Sequence, residues 1–169
     1  AREWLIGSLS LTRPGSWTDS AESNLRSEEA ALGADSPGEA LHALDYMTYA
    51  YLQTAQDSGA IAAQARAVEA AKLLDPTDRY AATGAYAAAA IPARVALERK
   101  DWKTAAELKP QTVRDEGYIN AITYYARGIG AAHLGNIDEA LMSVEALRSA
   151  EELTPNKYWS GRVKIKRKI

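Results

Sequence analysis

The sequence predicts an all-α protein built from stacked antiparallel helix pairs. Alanine supplies 34 of the 169 residues, and it combines the highest helix propensity with a small side chain that lets helices approach closely. Phe is absent although there are nine Tyr and four Trp, a composition that favours packed helices over a sheet. A turn pattern also recurs at 15–20, 100–105 and 135–140. In each case a tight turn precedes a bulky residue, a polar first helical turn and a small residue, which is how one helix ends and its antiparallel partner begins.

Breakers and caps divide the chain into eight to nine predicted helices. Pro14 and Gly15 end the first, and Ser36, followed by Pro37 and Glu39, predicts a capping box at the start of the third. The turn at 75–78 caps the fifth helix, which Pro92 should kink or split. The tail also alternates like a strand, although a helix is the favoured interpretation. The predicted helices cover residues 2–12, 18–31, 37–54, 58–74, 78–100, 102–108, 115–134, 137–153 and 156–169.

Several residues resemble the tetratricopeptide repeat at its consensus spacing: Tyr124, Gly128, Ala131, Gly135 and Ala140. The second helices of successive pairs start near 17, 58, 102 and 136, and the last two starts are separated by the 34-residue period of that repeat. The resemblance implies one domain over 1–169 in which the pairs form a right-handed superhelix, an α-solenoid. Its degenerate repeats would lie near 1–33, 36–74, 78–108 and 115–153, followed by a basic terminal helix at 156–169.

Four stretches, at 40–53, 90–99, 126–128 and 158–159, resemble more specifically a group of bacterial tetratricopeptide proteins with no assigned biochemical activity. Such relatives are much longer and often exported, so the resemblance implies that this chain is a C-terminal part. Some relatives carry the stretch His-Met-Pro-Ser-His-Ile, where residues 5–10 here read Leu-Ile-Gly-Ser-Leu-Ser. Because both histidines are missing, the resemblance gives no support to a metal site there.

Composition narrows the possible functions. The formal net charge is −2, which gives no overall attraction to nucleic acid or to an anionic membrane. Cys is absent, so disulfides, thiol nucleophiles and thiolate metal sites are excluded. No apolar run is long enough to predict a membrane span. The basic tail is interpreted as a solvated terminal helix, and the composition is compatible with a cytoplasmic or an exported protein.

A polar and aromatic face is the main candidate site. In the third predicted helix, five residues at offsets of 0, 3, 4, 7 and 11 share one helical face. Rings give contact area at low entropic cost and polar tips can bind backbone amides, as a groove for a peptide requires. Equivalent positions in later repeats extend this face. An alternative is that these side chains simply pack between neighbouring helices. The candidate partner-binding residues are His42, Asp45, Tyr46, Tyr49, Gln53, Arg94, Tyr125 and His133.

The leading hypothesis is therefore a scaffold that binds a protein or peptide partner, with no cofactor, metal or catalytic residue. One alternative is a metal-dependent or hydrolytic enzyme that uses His42, Asp45 and His133, although no HExxH, GxSxG or phosphate-loop motif accompanies them. Another is a purely structural segment of a longer chain. In that case an exposed apolar edge near Trp4 and Leu5 would pack on further repeats, and the isolated chain would self-associate.

Overall fold

The computed structural model describes residues 16–114 and 116–167, and this part of the chain is helical without any strand. The all-α prediction is confirmed for it. The predicted first helix at 2–12 and the apolar edge at Trp4 and Leu5 lie outside the described residues. The eight helices of the described part are α1 (Trp17–Gly33), α2 (Pro37–Gln53), α3 (Asp57–Lys72), α4 (Ala81–Glu98), α5 (Trp102–Glu107), α6 (Gly117–His133), α7 (Ile137–Glu152) and α8 (Lys157–Arg167).

The chain forms two compact units, the first ending at Ile91 and the second beginning at Pro92, within α4. In the first unit α2 packs against both α1 and α3. In the second unit α6 packs against α5 and α7, while α8 packs against both α6 and α7. Neighbouring helices joined by short linkers therefore form the packed pairs that the alternation of apolar segments and turns predicts.

One three-residue turn joins four of these helix pairs. Its middle residue has a left-handed backbone, with φ of 52° at Asp35, 54° at Ala55, 56° at Lys100 and 77° at Gly135. The amide of the following residue then donates to a carbonyl oxygen five residues earlier, at 2.9 Å in every case; Asn136 to Ala131 is one example. This pairing is the Schellman motif, which satisfies carbonyls at a helix C-terminus. The same local geometry thus recurs along the chain, in both units.

The turn residues differ from the predictions in two details. The Ser36 side chain makes no capping hydrogen bond, so the predicted capping box is wrong. By contrast, the side chains of Asp101 and Asn136, at the starts of α5 and α7, accept the amide protons of Thr104 and Glu139. The fifth predicted helix begins later than 78, because Asp78 Oδ1 accepts the amide proton of Tyr80 at 2.7 Å and the helix itself starts at Ala81.

Pro92 lies inside α4, which continues from Ala81 to Glu98 without interruption. The predicted alternative of a split helix is therefore wrong. A proline removes one backbone donor and crowds the carbonyl four residues earlier. The helix nevertheless keeps residues on both sides of Pro92 fully buried, including Ala90, Ile91 and Ala93.

Small residues make the closest helix contacts, while many large aliphatic side chains lie outside them. The buried side of α3 consists of Ala60, Ala63, Ala67 and Ala70. By contrast, Ile61, Val68 and Leu73 of the same segment are exposed. Alanine lets two helices approach closely, and a larger side chain on the same face would hold them apart. The apolar residues of α3 therefore divide between a small-residue interface and a large-residue surface, whereas α2 buries the larger Leu41, Leu44 and Met47.

The basic tail is helical in the described part, as α8, so the strand alternative is wrong there. Val163 of α8 is 2% exposed and joins a buried cluster with Ala121, Leu147 and Ala150. Tyr118 of α6 stacks on Trp159 of α8, with ring centroids 4.8 Å apart. These contacts anchor α8 across one end of the α6–α7 pair.

Candidate functional site

The predicted polar and aromatic face of α2 lies largely inside the first unit. Asp45 is 6% exposed, and His42, Tyr46 and Tyr49 are half-buried. Tyr49 meets the ring of Trp17 edge-on with centroids 5.6 Å apart, and His42 meets Tyr46 edge-on at 5.1 Å. Asp45, Tyr46 and Tyr49 have further partners within the chain. These contacts favour the alternative interpretation, in which the residues pack between helices, over an open groove.

The ionisation of His42 agrees with this environment. Burial lowers the pKa of His42, and the nearby carboxylates of Asp45 and Glu39 oppose that effect only in part. Desolvation penalises the charged imidazolium more than the two carboxylates stabilise it. His42 is thus held toward its neutral form, as expected for a packed side chain. Gln53, at the end of α2, is the exposed member of the predicted face.

The remaining predicted site residues belong to the second unit and lie in different surroundings. His133 is exposed at the end of α6 and stacks on Trp102, with ring centroids 4.0 Å apart and planes inclined by 7°. Tyr125 is half-buried and packs against the cluster around Val163. Arg94 is half-buried on α4 and lies close enough to Lys166 to affect its ionisation.

No group of three or more His, Cys, Asp or Glu side chains within 16–114 and 116–167 is arranged to hold a metal ion. His42 and Asp45 belong to the first unit and His133 to the second. A metal site requires three or four converging ligands. The metal-dependent form of the enzyme hypothesis thus has no supporting geometry in the described part of the chain, and the hydrolytic form stays a prediction.

An apolar cleft between α6 and α7 is a different candidate site. Its cavity measures about 180 Å³, slightly larger than a cavity that holds benzene. Ile137, Leu141 and Val144 line it from α7 at positions i, i+4 and i+7, which share one helical face. Lys166 and Arg167 line it from α8. The α6 residues of its lining are Tyr124, Tyr125, Gly128, Ile129 and Ala132.

The cleft continues a groove that α8 already occupies at its other end. Near the start of α6, Gly117 lies so close to Ala150 of α7 that a Cβ added there would stand only 2.9 Å from the Ala150 Cα. Near Gly128 the two helices are looser, since an added Cβ would lie 3.2 Å from the Ser143 Cβ. Tight packing and α8 thus close one end of the α6–α7 pair, and the cleft lies toward the other.

Large apolar side chains continue from the cleft onto the surface of α7. Leu141 is 62% exposed and Ile137 61%. Met142 is 69% exposed on the same helix but does not line the cavity. Singly exposed apolar side chains are common, but a contiguous apolar patch that continues into a cavity is typical of an interaction surface.

Sequence reasoning found Tyr125 but missed the other cleft residues. The i, i+4, i+7 spacing of Ile137, Leu141 and Val144 was the available signal, because it marks an apolar helical stripe. The face of α7 that is buried against other helices consists of Ser143, Leu147 and Ala150, and the stripe lies to one side of it. Lys166 carries no motif and enters the site only through the packing of α8.

No family model matches the chain, and neither the curated proteins nor the solved structures contain a significant match. Within the described residues no helix is both long enough and apolar enough to cross a membrane. The function is therefore inferred from the arrangement of the described residues.

Proposed function

We propose that the chain is a helical-repeat interaction module of the tetratricopeptide kind, which binds a segment of a partner protein in the cleft between α6 and α7. The observation that carries the proposal is the apolar cleft, together with the exposed stripe of Ile137, Leu141 and Val144 that forms one of its walls. Covering such a surface with a partner removes apolar area from water, which is favourable by about 25 cal/mol per Å².

The recurring turns support the repeat architecture. Asp35, Ala55, Lys100 and Gly135 occupy the same left-handed position in four helix-to-helix linkers, and the hydrogen bond that follows has the same length in each. Repeat proteins reuse one supersecondary unit in this way and stack the copies, so that each unit covers the apolar face of its neighbour. A right-handed superhelix built from these pairs is part of the proposal.

A helix is the occupant that the groove suits best. The described structure already contains one such occupant, because α8 lies against both α6 and α7 and buries Val163 between them. An amphipathic helix that lays its apolar stripe in a groove is a common mode of peptide recognition. The open part of the groove offers a second segment the same kind of contact.

A display selection tests the proposal. A random library of 16-residue peptides is selected on the native chain, and the affinity of an enriched peptide is then measured by fluorescence anisotropy. We expect peptides with apolar residues at helical spacing, and we expect Leu141→Gln to weaken binding about tenfold or more, because a buried leucine contact contributes roughly 1.5–3 kcal/mol.

Two further variants locate the site. Met142→Gln makes the same change at a residue that is equally exposed but outside the cleft, and it should bind as the native chain does. A Tyr46→Ala, Tyr49→Ala double variant should also retain binding, provided that its helical content is unchanged. Loss of binding in that double variant alone would place the site on the α2 face and overturn the proposed cleft.

A further inference from the structure

Lys166 has an unusual position for a lysine. It is half-buried at the edge of the α6–α7 cleft, where the rest of the lining is predominantly apolar. A lysine near an apolar surface normally places its methylene stem on that surface and its ammonium group in water. Here the surroundings of the ammonium group are poor in both water and opposite charge.

Positive charges approach Lys166, whereas carboxylates of the described residues do not. Burial lowers the pKa of Lys166, and the charges of Arg162 and Arg94 lower it further. No hydrogen bond or ion pair joins it to another side chain in 16–114 or 116–167. An ammonium group in such a place gains more from a carboxylate partner than an exposed one does, because the local dielectric is lower.

Several acidic side chains of α7 already have cationic partners. Arg167, the neighbour of Lys166 in the cleft, pairs with Glu151 through Nε and Oε2 at 3.2 Å. Arg148 pairs with both Glu145 and Glu152 along α7. Glu145, Glu151 and Glu152 of α7 are therefore paired with other cations, and none of the ion pairs within 16–114 and 116–167 includes Lys166. A segment bound in the cleft is in a position to supply the carboxylate that Lys166 lacks in this part of the chain.

We propose that the segment bound in the cleft is an acidic amphipathic helix. Its apolar residues would lie against Ile137, Leu141 and Val144, and an Asp or Glu side chain at the edge of its apolar stripe would pair with Lys166. The α7 wall from Ile137 to Leu147 is about 15 Å long at 1.5 Å per residue, which corresponds to roughly three helical turns of a partner. This inference rests on the proposed function and adds the charge and the conformation of the ligand.

Three matched peptides test the proposal. Each is a 14-residue helix-forming peptide with leucines at positions 4, 7, 8 and 11, acetylated and amidated so that its termini are uncharged. Positions 5 and 12, which border the leucine stripe, carry Glu in the first peptide, Gln in the second and Lys in the third, and the other positions are Ala or Gln. Affinity is measured by isothermal titration calorimetry with the full chain.

We expect the Glu peptide to bind about tenfold more tightly than the Gln peptide, because a charge-assisted ion pair in a partly desolvated site is stronger than a neutral contact. The Lys peptide should bind more weakly still. Raising the salt concentration from 50 to 300 mM should narrow the difference, since a half-buried pair is screened in part.

Variants of the protein assign the effect to one side chain. Lys166→Met keeps an unbranched apolar stem and should abolish the preference for Glu over Gln. Lys164→Gln removes a charge from the exposed surface of the same helix, outside the cleft, and should leave the preference intact. Lys166→Glu should reverse the preference, so that the Lys peptide binds best; such a reversal cannot arise from loss of folding.

Several outcomes would overturn the inference. Equal binding of the Glu and Gln peptides, still abolished by Leu141→Gln, would refute the acidic ligand and leave the proposed cleft standing. If none of the three peptides binds, the inference fails, and the display selection decides the proposed function separately. A native chain that sediments as a dimer and becomes monomeric on Leu141→Gln would identify a second copy as the occupant and refute the acidic helix.

Discussion

The α2 face of the first unit buries a polar side chain, whereas the α6–α7 cleft of the second unit exposes apolar side chains. On α2, the polar Asp45 is buried and Tyr49 packs against Trp17 at 5.6 Å. Along the cleft, Ile137 and Leu141 are more than half exposed. The residues that look like a binding face in the sequence are thus buried or half-buried except for Gln53 and His133, and residues that look like core line the cleft.

The reason lies in the size of the residues at helix interfaces. Where alanine, glycine and serine mediate the closest approach, the helices sit too near each other for a leucine between them. Larger aliphatic side chains are then displaced to the flanks of the interface, as Ile61 and Val68 are on α3. On α3 the larger aliphatic side chains thus lie outside the helix interface, whereas on α2 Leu41, Leu44 and Met47 are fully buried.

The largest effect is expected from adding a Cβ atom at the tightly packed end of the α6–α7 pair. A Cβ on Gly117 would overlap the Ala150 backbone, so Gly117→Ala should destabilise the second unit by about 3 kcal/mol. The matched change Gly128→Ala meets the Ser143 side chain at 3.2 Å. Because alanine also favours the helix by up to ~1 kcal/mol over glycine, its net effect should stay within about 1 kcal/mol.

Urea unfolding followed by circular dichroism measures both variants, with hydrogen exchange of the α6 and α7 amides as the local readout. Equal destabilisation by the two alanines would mean that the pair is uniformly tight. In that case the contrast between a closed end and an open cleft would be lost.

The helices and their linkers were the most predictable part of the molecule. Helix starts near 17, 58, 102 and 136 were expected, and the structure places helices at Trp17, Asp57, Trp102 and Ile137. Such boundaries depend on local signals, because turn residues and apolar periodicity act within a few positions. Pro92 shows where local signals fail, since α4 runs from Ala81 to Glu98 through a residue that usually breaks a helix.

The candidate site was far less predictable. Tyr125 was identified through repeat spacing, but Lys166 reaches the cleft only because α8 packs across the groove and its last turn ends there. That placement depends on Val163 fitting between α6 and α7, a tertiary contact for which one sequence contains no separate signal. Leu141 and Leu147 of α7 are the same residue type, yet Leu147 is buried in the cluster around Val163 and Leu141 is exposed; this difference also depends on tertiary packing.

A smaller effect is expected at the Schellman turn, which occurs in both units. Ala55 has φ 54° in the first unit, and Gly135 has φ 77° at the equivalent position in the second. A left-handed backbone costs a non-glycine residue roughly 1–2 kcal/mol. Ala55→Gly should therefore stabilise the first unit by about 1 kcal/mol, and Gly135→Ala should destabilise the second by a similar amount.

The two substitutions are controls for each other, because they exchange the same residues at the same turn position. A Cβ at Gly135 would meet nothing within 4 Å, so its cost would come from the backbone alone. Thermal unfolding measures both. If Ala55→Gly were destabilising, the two turns would not be equivalent, and the repeated turn would lose its value as support for a repeat architecture.

The smallest expected effect concerns His42 and tests whether the α2 face is internal. Burial lowers its pKa in the folded chain below the 6.5 of the unfolded one. As the pH falls through 6.5 toward the folded-state pKa, the unfolded chain binds more protons than the folded chain, so the free energy of unfolding decreases. His42→Gln should remove that part of the decrease between pH 7 and pH 5. Met142→Gln retains the histidines and should follow the native profile.

If His42→Gln left the profile unchanged, His42 would titrate alike in both states. The α2 face would then be open to solvent, and the peptide groove predicted from its tyrosines would again be the stronger candidate.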